Sequence, residues 1–175
     1  MMAIRIIGML LTVASSAALG LYLSNLGIFR QKDLLEFKRA LLILKSEIEY
    51  IATPLPEAMA NISEKLRCPM DGLFADYSKL LKSNAKGESA YHLWQSAIES
   101  HKRAMFLKDD DIEIIESFGK TLGYLDKQMQ IDSIRNTLDY IDVQVSSLQE
   151  SNEKNKRMYR SLGLIAGLLL LVVFW

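Results

Sequence analysis

DKQMQIDSIRNTLDYIDVQVSSLQESNEKNKRMYRSLGLIAGLLLLVVFW, residues 126–175, sets the architecture of the whole chain. It has no proline, and its apolar residues recur at alternating spacings of three and four: Ile131, Ile134, Leu138, Ile141, Val145 and Leu148. Four cations follow, Lys154, Lys156, Arg157 and Arg160, and the remaining residues, 161–175, carry no charge. The pattern predicts one long helix that packs against protein first and then enters a membrane.

The first half of the chain contains a matching helix. Its apolar residues have the same spacing: Leu34, Phe37, Leu41, Leu44, Ile48 and Ile51. Two such stripes, each joined to an apolar segment, predict an antiparallel helix pair. Four shorter amphipathic segments lie between them, and no segment alternates with the two-residue period of a strand. We therefore expect an all-α antiparallel bundle of about six helices, whose N- and C-terminal apolar helices continue into the membrane.

The two ends predict membrane segments of different length. Residues 6–29 are uncharged and long enough to span a bilayer, so residues 1–29 are predicted to form a transmembrane helix. A cleaved signal peptide is the alternative, since small residues follow the first apolar run at Ser16-Ala17-Ala18. Residues 161–175 are short for a span, and this tail either crosses the bilayer, inserts partway or packs against the first segment. Residues 30–160 then form a helical domain between the two.

Charge distribution predicts the orientation of that domain. Basic residues flank both apolar segments on the domain side, which places the domain in the cytoplasm. We expect Arg30, Lys32, Lys156, Arg157 and Arg160 at the lipid head groups, and Trp175 at the opposite interface. Residues 45–150 hold 18 acids and 12 basic residues, which argues against nucleic acid as a partner.

Residues that could perform catalysis are few. His92 and His101 are nine positions apart, too far to share a metal on one helix, and are predicted to be surface residues. Cys68 has no histidine nearby in sequence and is predicted to be packed as a small apolar residue. Asp109-Asp110-Asp111 lacks the glycine and glutamate of a calcium loop, and Asp109 or Asp110 is expected to cap a helix. With no phosphate-binding glycine loop either, we expect no enzymatic activity, no cofactor and no small-molecule substrate.

Two helix–turn–helix corners have compositions more particular than bundle packing requires. We interpret them either as good turns or as a docking surface for a cytoplasmic protein. In the first corner Thr53 is a candidate cap for the helix that Pro54 begins, and in the second Gly123 is expected to end one helix and Asp126 to cap the next. The candidate docking residues are Glu47, Tyr50, Thr53, Pro54, Leu55 and Glu57 in the first corner, and Phe118, Gly119, Leu122, Gly123, Asp126 and Gln130 in the second.

These corners carry a family resemblance. Together with the tail Tyr159-x-Ser161-Leu162-Gly163-Leu164-Ile165-Ala166-Gly167-Leu168-Leu169, they make the chain similar over its whole length to the stage III sporulation protein AB family of endospore-forming bacteria. Pro56, a second proline in the first corner, is a small departure. The resemblance implies a platform protein in a channel complex between mother cell and forespore, related to the F proteins of type II secretion and type IV pilus systems. It also implies a secretion-type ATPase partner, stage III sporulation protein AA, other channel components, and a place in the mother-cell-side membrane.

Two further functions remain open from the residues alone. The paired stripes could serve homodimerisation in a membrane-tethered signalling bundle without catalytic activity. A cleaved N-terminal segment would instead indicate a secreted protein.

Overall fold

A computed structural model describes residues 26–51, 53–84, 87–123 and 126–174, with side chains at 155–157 and 159–174 left out of the description. The described residues form six α-helices and no strand, which confirms the predicted all-α bundle. The helices are α1 (26–46), α2 (Leu55–Ser63), α3 (Met70–Lys82), α4 (Ala90–His101), α5 (Asp109–Phe118) and α6 (Lys127–Phe174). A π-helix at Glu47–Ile51 follows α1, and 3-10 turns at Lys102–Ala104 and Gly119–Thr121 follow α4 and α5.

The chain separates into two compact units. One is Arg30–Val145, which contains most of α1, all of α2 to α5 and the first part of α6. The other combines residues 1–29 with Ser146–Trp175, and of it the structure describes 26–29 and 146–174. The predicted boundaries at 29/30 and 160/161 remain predictions.

Within Arg30–Val145, α1 and α6 run antiparallel, as their two stripes predict. Arg30 bonds Gln144, Lys38 pairs with Asp142, and Lys127 donates to the carbonyl of Glu49 at 2.7 Å. The partner number falls along α6 as the residue number rises along α1, which only an antiparallel pair produces. Both stripes are buried over most of their length in this unit, for example at Leu34, Phe37, Ile134 and Ile141. Burying the stripes keeps the two helices together, because helices in proteins gain most of their stability from packing an apolar face against a neighbour.

An aromatic cluster fills the centre of this unit. The Trp94 ring lies 5.0 Å from Tyr77, 5.6 Å from Phe74 and 6.2 Å from Phe118, measured between ring centroids. Trp94 is fully buried, and its Nε1–H donates to the carbonyl oxygen of Ile115 at 2.9 Å. The indole thus joins α3, α4 and α5 while its one polar atom stays satisfied.

Helix ends follow the sequence expectations in some places and not in others. Asp126 caps α6, since its Oδ1 accepts the backbone N–H of Gln128 at 2.9 Å. The prediction that Gly123 ends α5 is wrong, because α5 ends at Phe118 with Gly119 as its cap; Gly123 lies beyond the 3-10 turn, with a φ of +83° that favours glycine. The prediction that Asp109 or Asp110 caps α5 is wrong, because the helix starts at Asp109 and Asp111 accepts the N–H of Lys108. Thr53 does not cap α2 either, since it bonds Glu47 instead.

Two single-residue predictions have opposite outcomes. Cys68 is exposed, so the prediction that it is packed is wrong. It precedes Pro69 in a turn between α2 and α3, where its side chain has no apolar stripe to join. His92 is exposed as predicted, whereas His101 is only partly exposed and bonds Asp76 at 2.8 Å.

In the second unit, α6 continues without interruption to Phe174. At about 1.5 Å per residue its 48 residues make a helix roughly 70 Å long. Gly27 and Asn152 come close here, since a Cβ on Gly27 would lie 2.6 Å from Asn152 Oδ1. Among the residues that the structure describes, no helix combines the length and the apolar character needed to span a bilayer. Most of the predicted N-terminal segment, residues 6–25, lies outside the described residues, and the membrane roles of both ends stay predictions.

Candidate functional site

The two predicted corners meet in the structure. The ammonium of Lys127, the first residue of α6, donates to the carbonyl oxygen of Glu49 inside the π-helix at 2.7 Å. This bond brings the residues after α1 next to the residues before α6. The sequence patterns are 60 or more positions apart, so only the antiparallel α1–α6 pair can place them at one end of the bundle.

The candidate docking residues divide into an exposed group and a buried group. Tyr50, Pro54, Glu57, Gly123 and Asp126 are exposed, and Thr53, Leu55 and Gln130 are half-buried. Glu47, Phe118, Gly119 and Leu122 are buried. The buried four cannot touch a partner unless the bundle opens.

Packing explains the buried part of the second corner. Phe118 belongs to the aromatic cluster, and Gly119 lies directly against Trp94. A Cβ on Gly119 would lie 2.0 Å from Trp94 Cδ1, which is closer than any side chain can approach. Glycine is therefore required here by the indole. Sequence reasoning gave no hint of this, because Trp94 lies in a different helix, 25 positions earlier.

A side-chain bond closes the first corner. The Thr53 hydroxyl donates to Glu47 Oε2 at 2.5 Å, and Glu47 is 5% exposed. Glu47 begins the π-helix, so this bond links the end of the α1 segment to the residue just before Pro54. π-helical turns are rare and recur at functional sites. Here the turn leaves Tyr50 and Ile51, at 83% and 62% exposure, outside the core.

We call Tyr50, Ile51, Pro54, Asp126 and Met129 the corner surface. All five are exposed, and Met129 lies in the first turn of α6, two residues after Lys127. Three of the five are large apolar side chains, which is unusual for residues in water and typical of positions that a partner covers.

A buried ion pair lies at the other end of Arg30–Val145. Arg30 Nε and Nη2 donate to the two carboxylate oxygens of Asp111 at 2.7 and 2.8 Å, and Tyr140 donates to the same carboxylate at 3.0 Å. Arg30 also donates to Gln144 Oε1 at 2.9 Å, so one guanidinium ties α1 to α5 and α6. Sequence reasoning placed Arg30 among lipid head groups. The structure gives it protein partners at 8% exposure, which nothing in the local sequence around Arg30 indicated.

The cluster changes the pKa of its members. Burial alone would raise the pKa of Asp111, but the bonds from Arg30 and from the Lys108 N–H outweigh it and hold that pKa below its ordinary value. Burial, followed by the nearby Asp111 charge, raises the pKa of Tyr140 to about 12. One helical turn from Arg30, burial raises the pKa of Asp33, although the Phe106 N–H donates to it at 2.7 Å. At neutral pH Tyr140 therefore keeps its proton, and Asp111 stays negatively charged.

The remaining predicted membrane-interface residues give less information. Lys32 is exposed on α1, while the side chains of Lys156, Arg157 and Arg160, and Trp175 as a whole, lie outside the described residues. Within the residues that the structure describes, no three His, Cys, Asp or Glu side chains are grouped as metal ligands.

Comparison with known proteins identifies what this architecture resembles. The sequence profile described as "Stage III sporulation protein AB" matches residues 5–175. The chain is 28% identical over 170 residues to the stage III sporulation protein AB of Bacillus subtilis (strain 168), covering 97% of this chain and 98% of that protein. A solved structure of a stage III sporulation protein AB is similar with a TM-score of 0.66 and 26% identity, covering 71% of this chain and 97% of the other.

Proposed function

Because the chain belongs to the stage III sporulation protein AB family, we propose that it acts as a membrane-anchored platform in sporulation. In this role it is one component of a secretion-like channel complex between mother cell and forespore. It would hold a cytoplasmic ATPase at the membrane and contribute binding rather than catalysis. The ATPase would be stage III sporulation protein AA, with other channel components assembled on the same protein.

The corner surface is the observation that supports docking. It combines three exposed apolar side chains with two hydrogen bonds, Lys127–Glu49 and Thr53–Glu47, in the two corners. Residues that such bonds already hold lose less conformational entropy when a partner binds, and exposed aromatic residues commonly supply much of the binding free energy. The surface also lies at the opposite end of α1 from Arg30, about 30 Å away at 1.5 Å per residue. An apolar segment before Arg30 in the membrane would therefore leave the surface free for a cytoplasmic partner.

The proposed location is the cell membrane on the mother-cell side of the forespore envelope, with residues 30–160 in the cytoplasm. The basic residues beside both apolar segments support this orientation, since such residues favour the cytoplasmic side and anionic lipid.

Capture of the ATPase tests the docking role. Full-length protein in a neutral detergent should retain purified stage III sporulation protein AA from the same organism. Tyr50→Ala should weaken capture by about tenfold or more, as for a hot-spot residue. Val143→Ala is the matched control, because Val143 is 67% exposed on α6 and lies outside the corner surface. Equal weakening by the two variants, or unchanged capture with Tyr50→Ala, would remove the corner surface as the docking site.

Homodimerisation in a signalling bundle is a second candidate, favoured by one observation. Leu35 and Leu42, seven positions apart on α1, are 42% and 49% exposed and so leave an apolar stripe uncovered. Light scattering on the full-length protein in detergent distinguishes the two functions. A mass of one chain at all concentrations would exclude this candidate and leave the platform role.

A further inference from the structure

An open groove of about 600 Å³ lies between α5 and the first turns of α6, within Arg30–Val145. Its polar walls include the hydroxyls of Ser117, Thr121, Thr137 and Tyr140 and the carboxylates of Asp126 and Asp132. None of the residues that line it is basic. A ligand of this groove therefore meets two carboxylates and several hydroxyl oxygens, together with the side-chain amides of Gln128 and Asn136.

Four of the five hydroxyls that line the groove, those of Ser117, Thr121, Thr137 and Tyr140, face a ligand as acceptors. A hydroxyl has a single hydrogen to donate, and in these four residues that hydrogen is already used inside the protein. Ser117 donates to the Ile114 carbonyl, Thr121 to that of Phe118, Thr137 to that of Ser133, and Tyr140 to Asp111, at 2.9, 2.9, 2.9 and 3.0 Å. The high pKa of Tyr140, about 12, keeps its proton in place at neutral pH. Each of these oxygens can therefore still accept a hydrogen bond through a lone pair.

Thr137 is the most buried polar side chain of the groove. It is 6% exposed, and its hydroxyl donates to the Ser133 carbonyl in the usual way of a threonine inside a helix. Its oxygen keeps a lone pair that a donor entering the groove can use.

The two carboxylates add charge to the acceptors. Asp126 uses Oδ1 to accept the N–H groups of Gln128 and Met129, at 2.9 and 3.4 Å. Asp132 also uses Oδ1, for the Gln128 side-chain amide at 3.1 Å and for Arg135 at 3.4 Å. The described bonds of both residues thus end on one oxygen and leave Oδ2 to an incoming donor.

We propose that this groove receives an arginine-bearing segment of a protein partner. A guanidinium offers five N–H donors in a planar arrangement and no acceptor, which complements the hydroxyl oxygens and carboxylates of the groove. Its positive charge complements Asp126 and Asp132 and steers the encounter. Lysine satisfies the charge but presents only three donors from one point, so arginine is preferred. The groove shares Asp126 and Met129 with the corner surface, whereas Asp132, Asn136 and Thr137 belong to the groove alone.

The test uses full-length protein in a neutral detergent and a fluorescent helical peptide that carries arginines one helical turn apart. A twin peptide with citrulline at every arginine keeps the shape and removes the charge. We expect the arginine peptide to bind at least about tenfold more tightly than its twin, and Asp132→Asn to weaken binding of the arginine peptide by about tenfold, as for one lost charge-assisted contact. Asn136→Arg places a guanidinium on a groove residue and should abolish binding.

Asp139→Asn is the matched control. It removes the same charge from an exposed position of α6 that does not line the groove, and it should change the affinity by less than about twofold. Equal effects of Asp139→Asn and Asp132→Asn would mean general charge attraction and would overturn the proposal. So would equal binding of the citrulline twin, or no binding of the arginine peptide to the wild type. Circular dichroism of each variant separates loss of binding from loss of fold.

Discussion

Asp111 and Arg30 show how much a single buried charge depends on its partner. Asp111 is fully buried, and removing its charge would leave the Arg30 guanidinium buried with Gln144 as its one acceptor among the described residues. We expect Asp111→Ala to lower the free energy of unfolding by about 3–5 kcal/mol, the cost of stranding a buried charge. Urea unfolding of the full-length protein measures this change. Each protein also carries Trp175→Phe, so that Trp94 is its single tryptophan.

The double variant Arg30→Met/Asp111→Leu is the control for that measurement. Replacing both charges by apolar side chains of similar size removes the desolvation cost together with the attraction. We expect it to be more stable than Asp111→Ala. A double variant that is as unstable as the sum of two single variants would contradict a coupled pair.

Asp33 makes the free energy of unfolding depend on pH in the direction opposite to that of a carboxylate in an ordinary ion pair. Burial raises its pKa, so the folded protein disfavours the charged carboxylate, and the free energy of unfolding falls as pH rises from the ordinary pKa through the raised one. Asp33→Asn keeps an oxygen to accept from the Phe106 N–H and carries no charge. We therefore expect the variant to gain stability relative to the wild type as the pH rises from 3.8, the ordinary pKa of aspartate, towards neutrality. A difference that stays constant over this range would contradict it.

Gly119 is a predicted docking residue that the structure places against Trp94, so a substitution there tests its role in packing. Its missing Cβ makes room for Trp94, so Gly119→Ala should force the indole or the 3-10 turn to shift and cost about 1–3 kcal/mol. Lys120→Ala, at the exposed neighbouring position, should change stability by less than about 0.5 kcal/mol. Urea unfolding measures both. An unchanged midpoint for Gly119→Ala would contradict the packing role.

At the scale of helices, the pattern of apolar residues predicts which helices form and which of them pack together. It predicts less well where each helix begins and ends. The stripes Leu34–Ile51 and Ile131–Leu148 correctly predict α1, α6 and their antiparallel arrangement, because a stripe on one face must be buried against another. The same pattern predicts a plain helix up to Ile51, where the structure has a π-helix that turns Ile51 outward. The Glu47–Thr53 bond closes this corner just before Pro54, and a side-chain bond of this kind leaves no periodic signal.

The candidate site shows the same division. The sequence indicates the two corners, and the structure places them together. The sequence does not distinguish Tyr50, which faces solvent, from Phe118 and Gly119, which pack on Trp94. That difference depends on contacts between α4 and α5. The groove between α5 and α6 is likewise invisible in the sequence, because its acceptors become a set only when two helices face each other.

The Lys38–Asp142 pair provides a direct test of how α1 and α6 are aligned. Zero-length carbodiimide coupling should join this ammonium and carboxylate in the full-length protein, and mass spectrometry of the tryptic fragments should identify the product. Asp139 is the internal comparison, an exposed acid three positions away that has no described ion pair with α1. A product at Asp139 in preference to Asp142 would shift the alignment. In a double-mutant cycle the pair should contribute about 0.2–1 kcal/mol, as exposed pairs do.

For the whole molecule, the division of charge is the feature that supports the proposed attachment to a membrane. Eighteen of the acids lie in residues 45–150, and basic residues flank the two apolar segments. A bundle standing on an anionic leaflet gains attraction at its basic end and avoids repulsion at its acidic end.

The proposed topology makes a prediction that does not depend on any partner. If residues 30–160 are cytoplasmic and the C-terminal tail crosses the bilayer, cysteines at positions 86 and 175 lie on opposite sides of the membrane. We expect Lys86→Cys, in a Cys68→Ser background, to react with a membrane-impermeant maleimide only after the membrane is opened. Trp175→Cys in the same background should react in intact, non-sporulating cells stripped of their wall, where the far side of the cell membrane faces the medium. Reaction of both only after opening would keep the cytoplasmic bundle and replace the spanning tail by one that inserts partway and returns. Reaction of Lys86→Cys in intact cells would overturn the cytoplasmic placement itself, and with it any contact between the corner surface and an ATPase.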